Sequence, residues 1–220
     1  MKEYPKIQSI FKRDEKTHKF IEGQWSLPEF EYLANNLWEW TEKVDGTNIR
    51  VIWQPEKKED TSTSVTYDIV EGVTFKGKTD SAQIPTFLIA KLKEMFPIEK
   101  FKLHFPDTSI CLYGEGYGRK IQKGSNYIPT GVSFVLFDVW INGWWLMRPD
   151  VYEISKKLEI DIVPLITVTT IPEAIEYVRK GFNSQWGDFP AEGLVGKTLP
   201  ELKNRKGERI VTKLKTKDFV

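Results

Sequence analysis

The chain has 220 residues, 40% of them hydrophobic and 29% charged, with a formal net charge of +1. That is enough to bury a real core as one large domain or two small ones, and it is too apolar for disorder to be the default. The balanced charge gives no global positive field of a nucleic-acid binder, and one cysteine (Cys111) with two histidines (His18, His104) argues against a disulfide framework and against a cysteine- or histidine-rich zinc site.

The N-terminal "MKEYPKIQSIFKRDEK" lacks the apolar run of a signal peptide, and no stretch approaches the length of a membrane span, which together read as a cytoplasmic protein. "TEKVDGTN" (41–48) follows, and its Asp45-Gly46 pair is good turn chemistry. "NIRVIW" (48–53) is β-branched and aromatic, a strand. "QPEKKEDTSTS" (54–64) is a polar excursion, and "SVTYDIVEGVTFKG" (64–77) is two strand-like runs about Glu71-Gly72, a hairpin. Leu88, Leu92 and Phe96 recur at helical spacing in 81–96. "SICLYGEGYG" (109–118) starts as a strand and ends in glycines, and "SFVLFDVWINGWWLM" (133–147) is a hairpin turning at Asn142-Gly143.

Helices are expected over 149–158 and over 172–181, where Pro172 suits a first turn and Gly181 a stop. "GFNSQWGDFP" (181–190) reads as a loop, and "EGLVGKT" (192–198) and "ERIVTKLK" (208–215) as strands. Short hairpin strands mixed with helices predict an α+β fold with largely antiparallel sheets flanked by helices. No linker divides the chain, so residues 1–220 read as a single domain. Charge is concentrated late: between Lys197 and Lys217 eight basic residues face only Glu201 and Glu208, a local net of +6.

Alone, Lys43 with Asp45 and Gly46 is equally a lysine beside an ordinary turn. In company it is more. "TEKVDGTN", "LYGEGYG" (112–118), "FVLFDVW" (134–140), "EGLVGK" (192–197) and "IVTKLK" (210–215), in this order, resemble the covalent nucleotidyltransferase superfamily of polynucleotide ligases and RNA capping enzymes. More narrowly they resemble the RNA ligase family, including its small phage-type members.

That resemblance implies a nucleotidyltransferase (ligase adenylation) domain using ATP and Mg²⁺ or Mn²⁺ on RNA. It makes Lys43 the nucleophile that becomes lysyl-AMP, with AMP passing to a 5′-phosphate before a 3′-hydroxyl attacks. Lys213 and Lys215, two apart on a strand and so on one face, become phosphate-holding cations. Glu192 becomes the metal carboxylate, since Mg²⁺ prefers oxygen and is usually held by one or two carboxylates plus phosphate. Glu115 is placed at the ATP ribose and Phe137 under the adenine, although Phe137 sits in an apolar run and reads equally as core. Glu42 matches an adenine-side contact.

Two positions depart from the pattern. Lys78, in "FKGKTDSAQIP" (75–85), stands where relatives carry an arginine near the sugar-phosphate, and lysine offers a point charge rather than a fork. Asn48 stands in the nucleotide-binding motif where DNA-joining relatives typically show arginine, which favours RNA, while Asp45 stands where some double-strand RNA ligases have histidine. No C-terminal OB barrel is expected. The grip on polynucleotide is expected from the 197–217 segment, "GRKIQK" (118–123) and "FKRDEKTHK" (11–19). A DNA ligase, a GTP-using capping enzyme and a non-catalytic nucleotide- or RNA-binding module are the competing readings.

Overall fold

A computed structural model describes residues 3–55, 72–122 and 126–219. In chain order the strands and helices among them are β1 (Gln8–Ser9), β2 (Phe11–Arg13), β3 (Phe20–Trp25), α1 (Pro28–Tyr32), β4 (Trp38–Glu42), β5 (Thr47–Gln54), β6 (Gly72–Lys76), α2 (Thr86–Met95), α3 (Ile98–His104), β7 (Ile110–Gly118), β8 (Val132–Ile141), β9 (Trp144–Trp145), α4 (Arg148–Leu158), β10 (Asp161–Ile162), β11 (Leu165–Thr169), α5 (Ile171–Lys180), β12 (Gly193–Thr198) and β13 (Val211–Lys215). The fold is α+β with mostly antiparallel sheets, as the hairpin-rich sequence predicts. Among the described residues no helix is long and apolar enough to cross a membrane.

The chain forms two compact units, the first Met1–Tyr4 with Gly46–Ile162 and the second Pro5–Asp45 with Val163–Val220. The first is built on a sheet ordered β10-β8-β7-β5-β6, with β9 folded back on β8. Its pairings are antiparallel apart from β10 on β8. Alternation along β5, β7 and β8 sends Ile49, Val51, Trp53, Ile110, Leu112, Phe134, Leu136 and Val139 to one face, where Leu88 and Leu92 of α2 and Val151 and Leu158 of α4 complete the core. The Asn142-Gly143 turn holds positive φ at both residues (48° and 91°), as a tight two-residue hairpin requires.

The second unit carries a sheet ordered β1-β13-β12-β4-β11, plus the β2-β3 pair. β4 pairs with both β12 and β11, so its alternation governs both sheet faces. Trp38 and Trp40 point into a core closed by Ile171, Ala174, Ile175 and Val178 of α5, with Leu194 and Leu214 beside them. α5 opens with a capping box between Thr170 and Glu173 and stops at Gly181, where φ is 75°. At Gly196 the backbone runs against the Trp40 ring, leaving no room for a Cβ.

Two expected elements are shorter than predicted. The helix expected over 81–96 begins at Thr86, because Pro85 takes an extended ψ of 137° and the residue before a proline avoids the helical region. The last strand starts at Val211 because Asn204–Gly207 makes a turn and Arg209 bridges back to Lys203. Of the hairpin expected over 64–77 only the second run is described, as β6 paired with β5; residues 56–71, which hold its first run and most of the 54–64 excursion, and Lys123 lie outside the described residues.

Leu92 is fully buried on α2. Replacing it with alanine removes packed methyls and leaves a cavity, so Leu92→Ala should lower unfolding free energy by about 2–5 kcal/mol, measured by urea titration.

Candidate active site

The second unit gathers charge on one sheet face. With Trp38 and Trp40 committed to the core, the alternate positions Glu39 and Thr41 of β4 face the other way. Register aligns Thr41 with Val195 and Lys213, and Gly193 with Lys215. Lys213 and Lys215 therefore share that face, as two-residue spacing predicts. Lys43 follows β4 directly, its backbone N–H donating to the Gly193 carbonyl at 2.9 Å.

Glu192 joins the basic residues. Its Oε2 accepts from Lys43 Nζ at 2.7 Å and its Oε1 pairs with Lys215 Nζ at 2.7 Å. All three side chains are partly buried, at 22%, 17% and 24% exposure for Lys43, Glu192 and Lys215, so the charges meet in a partly desolvated setting where they count for more than on an open surface. The backbone around the carboxylate is pinned: Thr216 N–H donates to the Glu192 carbonyl and the Thr216 hydroxyl to the Ala191 carbonyl. The next residue has to be glycine. Gly193 has φ of 149°, and a Cβ there would strike the Leu214 carbonyl.

Glu42 belongs to the opposite, buried face of β4. Its carboxylate accepts the Ser184 hydroxyl at 2.5 Å and the Gln185 N–H at 2.8 Å, tying the 184–186 loop to the strand. Burial raises its carboxyl above the ordinary range, and the two hydrogen bonds oppose the rise without cancelling it.

The first unit carries the remaining positions. Asn48 lies opposite Glu115 in the β5–β7 ladder, and Arg50 opposite Tyr113. All four face away from the α2 core. Between Tyr113/Gly114 and Asp138/Leu136 the β7–β8 register slips by one, and Phe137 is the extra residue of that bulge. Phe137 points away from the core, opposite to Leu136, and the slip returns Val139 to it: Phe137 is half-buried and meets Tyr4 edge to face, centroids 5.0 Å apart. Tyr4 donates to the buried Asp138 carboxylate at 2.6 Å. Gly46 packs on Glu115 Cγ, 2.8 Å from where a Cβ would sit.

Lys78 is exposed beyond β6. The buried cation of this region is Arg50, which sequence reasoning missed. It is fully enclosed, and it donates from Nε to the Gly77 carbonyl and from Nη2 to Asp80, both at 2.8 Å. Lys76 first, and then Arg50, hold the Asp80 carboxyl below its usual value. Asn48 Oδ1 and Arg50 Nη1 are buried with no hydrogen-bond partner among the described residues. An arginine between Ile49 and Val51, on an alternating strand, was the available signal for Arg50. Nothing local marked Ser184 or Tyr4.

The residues suit a nucleotide with a divalent cation. Among the described residues no three His, Cys, Asp or Glu side chains cluster as a metal cage. A single carboxylate such as Glu192, with phosphate oxygens completing the shell, fits how Mg²⁺ is usually held. The buried, unpartnered Asn48 oxygen offers an acceptor that a nucleotide hydroxyl or amine can meet.

The RNA ligase family profile matches residues 36–215, and the chain belongs to that family. Solved structures confirm the fold. A lysine-to-alanine mutant of Naegleria gruberi RNA ligase with ATP and Mn superposes with a TM-score of 0.63 at 19% identity, over 87% of this chain and 52% of that one. The same ligase with PPi gives 0.62 at 21%, over 87% and 53%. A second lysine-to-alanine mutant with ATP and Mn gives 0.63 at 18%, over 98% and 58%. The chain thus spans little more than half the length of these ligases. None of the curated proteins compared with the sequence matches it.

The raised Glu42 carboxyl means that the folded chain binds its proton more tightly than the unfolded chain does. Its contribution to stability is therefore present below the unfolded value, near 4.5, and is lost as pH rises through the folded value. Glu42→Gln cannot titrate, so the loss of unfolding free energy on going from pH 4.5 to pH 7 should be smaller in the variant, measured by urea titration at both values.

Proposed function

We propose that the protein is an ATP-dependent RNA ligase that joins 5′-phosphate and 3′-hydroxyl ends through lysyl-AMP on Lys43, with residues 1–220 as one adenylation domain acting in the cytoplasm. The observation that carries this reading is Glu192 held at 2.7 Å from both Lys43 and Lys215. Membership of the RNA ligase family supports it, as do the ATP, Mn and PPi of the Naegleria ligase structures.

In the first step Lys43 Nζ attacks the α-phosphorus of ATP. A phosphorus–nitrogen bond forms and the bond to pyrophosphate breaks. An amine attacks only with its lone pair free. Glu192, already within hydrogen-bond reach, orients Nζ and stands ready to accept the proton it sheds. Lys215 and Lys213 hold phosphate oxygens as charge moves onto them. A divalent cation on Glu192 supplies further neutralisation of the phosphate oxygens when bound. Phe137 offers an aromatic face to the adenine, and Glu115 a carboxylate to the ribose. Lys78 and Asn48 are the further nucleotide contacts in this reading. Glu42 contributes through the backbone and through the loop its carboxylate fixes, because both of its oxygens are already engaged.

AMP then passes to the RNA 5′-phosphate, and the 3′-hydroxyl displaces it. All three steps substitute at phosphorus, where positioning and charge neutralisation do most of the catalytic work.

Incubation with α-labelled ATP and Mg²⁺ should place label on the chain. Lys43→Ala should abolish it, and Lys215→Ala should slow it by roughly a hundredfold. Label from GTP in place of ATP would favour a capping-type enzyme, and binding of ATP with no label would favour a non-catalytic module.

A further inference from the structure

The first unit has a cavity of about 780 Å³ on the α2 side of its sheet, the side opposite Glu115 and Phe137. Phe87 and Lys91 of α2 form one wall, and Arg119, Lys120, Thr130 and Gly131 form the other. The second wall is built by two returning backbones, with Arg119 N–H donating to the Gly131 carbonyl at 2.9 Å. Lys120 there takes a left-handed φ of 71°, and Gly131 a φ of 99°. The turn thus holds two consecutive cations, Arg119 and Lys120, in the solvent.

The wall chemistry is specific. Lys91 is paired with Glu94 at 2.6 Å, but neither Arg119 nor Lys120 makes an ion pair among the described residues. Phe87, 41% exposed, leaves an aromatic face in water instead of joining Leu88 in the core. Two unneutralised cations beside an exposed ring match the two faces of a nucleotide strand, anionic phosphate and flat base. A mononucleotide needs a closed pocket that reads its edges; an open, cationic trough is suited to a strand passing through it.

We propose that this cavity docks the RNA strand outside the adenylation centre, with Arg119 and Lys120 on consecutive phosphates and Phe87 stacked on a base. The proposal rests on the ligase reading and extends it. Arg119 follows the end of β7, four positions on from Glu115 and roughly 13 Å along the strand, so a few nucleotides rounding the strand end cover the separation. Recognition of this kind is tolerant of sequence, because every base presents a π-face and every residue a phosphate.

The test is equilibrium binding of a fluorescent 5′-phosphorylated single-stranded RNA, by anisotropy, at several salt concentrations and without ATP. The Arg119→Ala/Lys120→Ala variant should bind more weakly and lose about 1.4 from the slope of log K against log salt. Phe87→Ala should weaken binding about tenfold with the slope unchanged, and Phe87→Trp should restore it. These side chains are exposed, so thermal unfolding should not move. Unaltered affinity and slope in both alanine variants would overturn the docking surface, as would full displacement of the RNA by AMP. Lys43 labelling in the same preparations reports the ligase reading separately: wild-type labelling with unaltered RNA affinity sinks the docking surface alone, and no labelling in any preparation sinks the reaction.

Discussion

One carboxylate between two lysines is the constraint on which the rest of the second unit depends. Glu192 holds Lys43 and Lys215 at equal distance, and without it the two like charges would be left facing each other in a partly desolvated space. The sheet is arranged around that bridge. β12 delivers the acid, β13 one lysine and β4 the other, and the tryptophans of β4 fix which way the strand faces. The glycine after the acid is equally forced, since the Leu214 carbonyl occupies the space a side chain would need.

The arrangement suits a reaction whose participants arrive with charge. In the proposed reaction ATP brings phosphate oxygens and counter-ions, which compete with the existing ion pairs. An ion pair exchanged for another at little net cost keeps a site both stable and open to ligand, whereas one lysine buried without the acid would carry an unpaired charge. Glu42 solves a related problem one residue earlier. It is buried on the same face of β4 as Trp38 and Trp40, yet both of its oxygens are met by Ser184 and Gln185, so a polar group on the core face also fastens a loop.

Much of this was legible from residues alone. The strands of the first unit announce themselves by β-branched and aromatic alternation, and the Asn142-Gly143 turn by its chemistry. Lys43, Glu192, Lys213 and Lys215 could be selected from motif order, and two-residue spacing put the last two on one face. β4 and β11 escaped notice because Trp38–Glu42 mixes acids with aromatics and Leu165–Thr169 is short; each becomes a strand through its neighbours. Arg50 was hidden in an apolar run, and Ser184 in a loop without distinguishing pattern. Both matter through partners far along the chain, at Gly77 and Asp80 for one and at Glu42 for the other, and composition carries no trace of such pairings.

The slip in β8 has a consequence for how this sheet tolerates change. On the parity of Phe134 and Leu136 an even pleat would send Phe137 outward but Asp138 inward, and Val139 would leave the core. One unmatched residue lets Phe134 and Leu136 before the slip and Val139 after it share one hydrophobic interior, with Phe137 and Asp138 both on the far side. Insertions and deletions in this strand are therefore constrained in number as well as in kind: losing one amino acid between Leu136 and Asp138 would restore perfect pairing and remove the outward ring, though every other side chain stayed in place.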